Sequence, residues 1–164
     1  MGLPRTPWAA INVHGGKRGG SDRLARAVAA LPDAVRDRLT LENDECSYTA
    51  LDLALVSRST GVPVCLDSHH HSLNPGGLDL AEAHELALAT WPAGVRPLQH
   101  LSNSEPGCGP GLGARRRHSW AVHHVPDVQR AANERGQIDL SMEFKGKNLA
   151  VLPAAARFDL TLAT

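Results

Sequence analysis

The segment LDSHHHSLNPGG, residues 66–77, sets an aspartate and three histidines directly after the apolar run VPVCL. A carboxylate oxygen and an imidazole nitrogen together suit Mn, Zn or Fe. The D-x-x-H spacing of Asp67 and His70 lets a tight turn aim both groups the same way. His69 and His71 cannot share that direction, so at least one of them lies behind the ligands or faces solvent. The same residues could equally form a polar loop. Other candidates pose the same choice. Glu42 in LTLEND could bridge metals or pair with an arginine, while Asn43 and Asp44 could start a turn or cap a helix. Glu143 in LSMEFKGK precedes Lys145 and Lys147, which could hold phosphate or simply be solvated. His14 precedes two glycines, and His100 stands near the end of an apolar run. His118 follows Arg115, Arg116 and Arg117, a cationic run that suits phosphate contacts. His84, His123 and His124 receive no role.

These residues need elements to position them. Five segments read as strands: WAAINVHGG, RLTLENDE, VPVCLDSHHH, VRPLQHLS and QIDLSMEFKGK. Helical patterns lie between them. SDRLARAVAALPDAVRDR takes Ser21 or Asp22 as N-cap and breaks at Pro32. SYTALDLALVSRSTG stops before Gly61, LDLAEAHELALATW runs up to Pro92, and VPDVQRAANERG follows the Gly/Pro/Arg loop NSEPGCGPGLGARRR. The alternation predicts an α/β fold with a parallel sheet built from right-handed crossovers. All five strands read as continuous apolar runs, as strands covered on both faces do. His14, Glu42, Asp67, His100 and Glu143 all fall at or near the C-terminal ends of their strands. In parallel barrels and open α/β sheets that edge binds ligands. Five such placements point to one site holding two or three divalent cations. Clusters of this kind activate water and stabilise the attacking and leaving oxygens in phosphate-ester hydrolysis.

Composition narrows the classes. The 17 basic residues equal the 17 acidic ones, which excludes a dedicated electrostatic DNA coat and leaves a local basic patch open. Three widely spaced cysteines with no CxxC argue against a disulfide framework and a zinc knuckle, and fit a reducing cytoplasm. No signal peptide is visible, and no apolar run approaches the ~18 residues of a membrane helix.

Taken together, INVHGG, RLTLENDECSYT, PVCLDSHHHSLNPG, QHLS, RRHS and SMEFKGK resemble the UV damage endonuclease family, in that family's order and from His14 to Lys147. The resemblance implies a TIM barrel related to endonuclease IV, holding two or three divalent ions, typically Mn2+. It implies an enzyme that nicks UV-damaged double-stranded DNA immediately 5′ of the photoproduct and so begins excision repair. Carried over block by block, the metal ligands are His14, Glu42, Asp67, His70, His100, His118 and Glu143. Glu42 and Glu143 act in catalysis, and Lys145 contacts phosphate. Arg115, Arg116 and Arg117 are the further DNA contacts. Two positions depart from the family pattern: Leu98 stands where a lysine is expected, and Trp120 where an acidic residue is common.

A TIM barrel has eight strands and usually ~250 residues. The five strands here match the fourth to the eighth. The expectation is therefore one incomplete barrel over residues 1–164, with a family-like core at 9–147 and a tail at 148–164. It would be a truncated product, a misplaced start or a fragment, with reduced or no activity. Its open edge would favour self-association, and no obligate protein partner is inferred. Two other readings remain: a non-catalytic metal-binding or partner-docking remnant, and a sugar isomerase or epimerase of the same fold.

Overall fold

The computed structural model describes residues 2–17 and 20–161; the last three residues of the expected tail lie outside them. Five strands run parallel. β1 (Ile11–His14) pairs with β2 (Leu39–Glu42), which pairs with β3 (Val64–Cys65), while β4 (Leu98–Leu101) pairs with β5 (Asp139–Met142). The two sheets meet at one bridge, Asp67 to His100, where the His100 N–H donates to the Leu66 carbonyl at 2.9 Å. Helices follow the strands: α1 (Ser21–Ala29) and α2 (Asp33–Arg36), α3 (Ala50–Thr60), α4 (Ser68–Leu73) and α5 (Leu80–Leu88), α6 (Leu112–Arg115) and α7 (Asp127–Glu134), then α8 (Asn148–Arg157). This is a wall of parallel βα units, the α/β arrangement expected.

Local chemistry sets the boundaries. Thr49 and Asp52 form a capping box that starts α3, and Gly61 ends it with φ 73°. Asp79 and Glu82 start α5 in the same way. Pro32 separates α1 from α2, as expected. The N-cap of α1 is Gly20, not Ser21 or Asp22, and no side chain among the described residues caps that end. Asp22 lies instead in the first turn, where its charge faces the positive end of the helix dipole.

Alternation along β2 and β3 sends Leu39, Leu41, Val64 and Leu66 outward into the helix layer. There they join Val28, Leu53, Val56, Ala83 and Ala87 in one cluster. Leu101 packs outward with Val122, Val125, Phe144 and the alanines of α8 in a second cluster. Each fully buried Leu or Val contributes roughly 1.5–3 kcal/mol.

Two expectations are corrected. Burial on both faces holds for β2 and β3 and for β4 from Gln99 onward, but Ile11 and Val13 of β1 are 45% and 38% exposed and β5 is half-buried. β1 has only β2 beside it among the described residues, so its outer side chains lack a full cover. The third strand does not run through the histidines. It ends at Cys65, and Ser68 starts α4 because the Asp67 carboxylate accepts the His70 N–H at 2.8 Å.

Candidate metal centre

The face opposite the helix layer gathers the polar residues. Glu42, 4% exposed, stands at the middle. Its Oε1 is 3.0 Å from His100 Nδ1 and 3.9 Å from His70 Nδ1, and its Oε2 is 3.8 Å from His14 Nε2. Asn12 donates to the same Oε2. His100 Nδ1 also lies 3.2 Å from Glu143 Oε1. Two groups offer donor atoms within 4.8 Å of one another: His14, Glu42 and His70; and Glu42, Asp67, His100 and Glu143. Glu42 belongs to both. Six of the seven expected ligands thus come together from five strand ends and the first turn of α4.

The donor set fits divalent cations. Asp67 is fully buried; one carboxylate oxygen caps α4, and the other, Oδ2, has no hydrogen-bond partner among the described residues. An orphaned carboxylate oxygen is costly to bury, and a cation would satisfy it. Three carboxylates around one imidazole also repel one another unless positive charge lies between them. Oxygen with imidazole nitrogen is the mixture that Mn, Zn or Fe accept.

His118 departs from expectation. It falls outside both groups, although its ring lies 5.7 Å from that of His69 and 6.4 Å from that of His70. A strand-like bridge to Ser104 holds it beside the cluster. The three consecutive histidines are all buried, so none faces solvent. His69 lies behind His70: its Nδ1 is 2.8 Å from Ser102 Oγ, and its Nε2 is 3.0 Å from the Arg115 carbonyl. That contact ties the arginine loop to α4. Arg115, Arg116 and Arg117 are exposed, and Arg116 pairs with Glu45 at 3.3 Å. Lys145 and Lys147 are exposed and line, with His118, Ser141 and Glu143, a cavity of about 460 Å³. Leu98 lies two residues before His100 on β4, half-buried, and Trp120 is exposed.

The electrostatics follow from this crowding. Burial works to raise the Glu42 pKa, yet the His100 hydrogen bond and the charges on His100, His14 and His70 hold it below its usual 4.5. Burial works against charge on His100 as well, but contacts with Cys65 and Glu42 push its pKa up to about 11. For His70, the Asp67 charge, the Asn43 carbonyl and Glu42 outweigh burial and raise the pKa. Burial wins at His69 and His71 and lowers both. Burial also pushes the Cys65 thiol up to about 11.

Residues that hold no candidate ligand atom explain the rest of the motif blocks. Asn43 donates to the Asp67 carbonyl at 3.0 Å and accepts the Asp67 N–H at 2.8 Å, which extends the pairing of β2 with β3 up to the ligand. Asp44 takes the turn role, accepting the N–H groups of Cys46, Ser47 and Tyr48. Asn74 donates to the Asp44 carbonyl at 3.0 Å. Gly76 has φ 63°, and a Cβ there would sit 2.7 Å from Thr49. A Cβ on Gly15 would sit 2.6 Å from the Tyr48 ring. The blocks VHGG, LEND, SYT and NPG are therefore one packed unit around Glu42. Asn12 and the structural use of Asn43 escaped the sequence reading; their only sequence signal was adjacency to the ligand blocks.

A parallel βα wall with a carboxylate–imidazole cluster at its C-terminal rim defines an α/β protein of the TIM-barrel type with two groups of possible metal ligands. The chain belongs to the UV-endonuclease UvdE family, whose family model matches residues 1–161. It is 36% identical over 163 residues to a UV DNA damage endonuclease of Deinococcus radiodurans, covering 96% of this chain and 51% of that one. It is 32% identical over 157 residues to that of a Nostoc species, covering 92% and 45%. A crystal structure of SacUVDE matches with a TM-score of 0.72 at 26% identity, covering 93% of this chain and 53% of that one. The chain spans about half the length of these relatives.

Proposed function

We propose that this chain carries the catalytic rim of a UV damage endonuclease, acting on double-stranded DNA and cutting the phosphodiester 5′ of a photoproduct. The observation that carries this reading is Glu42, shared between two donor groups that together draw on every strand. Glu42, Asp67, His100 and Glu143 would hold one cation, and His14, Glu42 and His70 another, with Mn2+ the ion of choice. When bound, such cations supply an activated water and offset charge on the attacking and leaving oxygens. Asn43 fixes the Asp67 backbone, and Asn12 fixes one Glu42 oxygen, so the carboxylates are oriented before substrate arrives. Lys145, beside Glu143 and His118, faces a phosphate. Arg115, Arg116 and Arg117 meet the DNA backbone away from the reacting bond. The reading takes residues 1–164 as one partial barrel domain.

The test is nicking of supercoiled plasmid. With Mn2+ the protein should nick irradiated plasmid and spare unirradiated plasmid, and chelator should abolish the reaction. Glu42→Gln should slow nicking by more than about 100-fold, beyond the loss usual for an outer-sphere partner. Nicking that ignores chelator, or that treats both plasmids alike, defeats the proposal. A second reading has an observation behind it: His14 is half exposed on the uncovered edge strand β1. In that reading the chain holds metal without turnover. Tight Mn2+ binding with no nicking selects it.

A further inference from the structure

We propose that Trp120, with Lys145 and Lys147, forms a seat for one unstacked nucleobase and its flanking phosphates, an inference that rests on the nucleic-acid reading above. Trp120 is 58% exposed, so its ring adds little to either core cluster. Its backbone is nevertheless fixed on both sides. The Trp120 N–H donates to Glu105 Oε2 at 3.1 Å, and its carbonyl accepts the Gly146 N–H at 3.0 Å. The preceding residue, Ser119, is fully buried, accepts the Lys145 N–H at 3.0 Å and donates its own N–H to the Asn103 carbonyl at 2.8 Å. A large flat ring is thus presented to solvent on a rigid support.

Its neighbours give the ring a chemical context. A Cβ on Gly146 would lie 2.7 Å from the Trp120 carbonyl and 3.2 Å from the indole Nε1, so the indole edge lies over a residue that only glycine can be. On either side of Gly146 stand Lys145 and Lys147. Both are exposed, and neither makes a salt bridge among the described residues. Both line the cavity that contains His118 and Glu143. An exposed aromatic ring beside a segment that carries two exposed lysines is the combination that holds single-stranded nucleic acid: bases stack on the ring, and cations track the backbone. A base still inside a duplex presents only its edges, so the occupant is a nucleotide drawn out of the stack.

The experiment measures binding, not cleavage. In chelator, a Trp8→Phe protein removes the other strongly exposed indole. It is titrated with undamaged oligothymidylate and, separately, with inorganic polyphosphate. Oligothymidylate should quench the indole emission; polyphosphate should bind without quenching. Trp120→Ala should weaken oligothymidylate binding by about 10-fold, the order that stacking on one base provides, with an unchanged melting temperature. Trp120→Phe should keep most of the affinity. Lys145→Ala with Lys147→Ala should lower the slope of log K against log salt by about 1.4, the share of two phosphates on a single strand. Equal affinity of Trp120→Ala and parent overturns the seat, as does equal quenching by polyphosphate. Because metal and damage are absent, loss of nicking does not affect this result. Damage-specific nicking together with unchanged oligothymidylate affinity in Trp120→Ala removes the seat alone.

Discussion

Glu42 shows how one side chain sets the proton state of its neighbours. Without metal, His100 keeps its proton through neutral pH because the Glu42 carboxylate, with Glu143 also in reach, overcomes burial. A protonated imidazole cannot ligate, so a cation entering beside Glu42 must expel that proton. Mn2+ binding should release about one proton per protein near neutral pH, read by calorimetry in buffers of different ionisation heat; heats independent of buffer reject this. The sign of the pH effect on metal-free stability follows from the same pair. The raised His100 pKa stabilises the fold fully below its usual 6.5, and that contribution fades as pH rises through about 11. The lowered Glu42 pKa stabilises above 4.5 and its contribution is lost as pH falls below it. The pair therefore contributes in full between 4.5 and 6.5. Thermal melts of parent and Glu42→Gln should converge on both the acid and the alkaline side; a constant gap across pH would contradict the pairing.

At the scale of one element, α4 depends on Asp67 in two ways. One carboxylate oxygen caps the helix, and the other is the orphaned atom in the cluster. Asp67→Asn keeps an acceptor for the His70 N–H but removes the charge. It should leave urea stability nearly unchanged and weaken Mn2+ binding at least about 10-fold. Asp67→Ala loses the cap as well and should cost a further ~0.5–2 kcal/mol in the same urea titration. If both variants lose stability equally, the cap is not what starts α4. This helix also explains why three consecutive histidines could not be read as one motif. At about 100° per residue they point in three directions, and each finds different company. His70 faces Glu42, His69 faces the serines after β4, and His71 is buried on a third side.

Across the whole molecule, two apolar clusters lie behind two short sheets. Among the described residues the sheets are joined by a backbone bridge and by the polar contacts of His100, and the helices beside them add the contacts of His69 with Ser102 and of His84 with Gln99. The second donor group spans that joint: Glu42 and Asp67 come from one side, His100 and Glu143 from the other. Cations there would staple the halves together. Calorimetric melting should be broad or two-stepped in chelator and should sharpen to one transition with Mn2+, moving upward in temperature. A single sharp transition in both conditions would show that the joint is already rigid.

The sequence by itself determined the strand–helix alternation, because apolar runs, capping residues and Gly61 are local signals. It also pointed to the rim, because His14, Glu42, Asp67, His100 and Glu143 each end or closely follow an apolar run. Contact was beyond it. Whether His118 enters the donor groups or stands beside them depends on how a long Gly/Pro loop folds back on Ser104, and no spacing encodes that return. The exposure of Ile11 and Val13 was likewise invisible, since burial on a second face depends on what packs there and not on the strand's own residues. Tertiary structure alone made Glu42 common to two groups, because parallel pairing places His14, Glu42 and Cys65 side by side while the Asp67–His100 bridge draws in the second sheet.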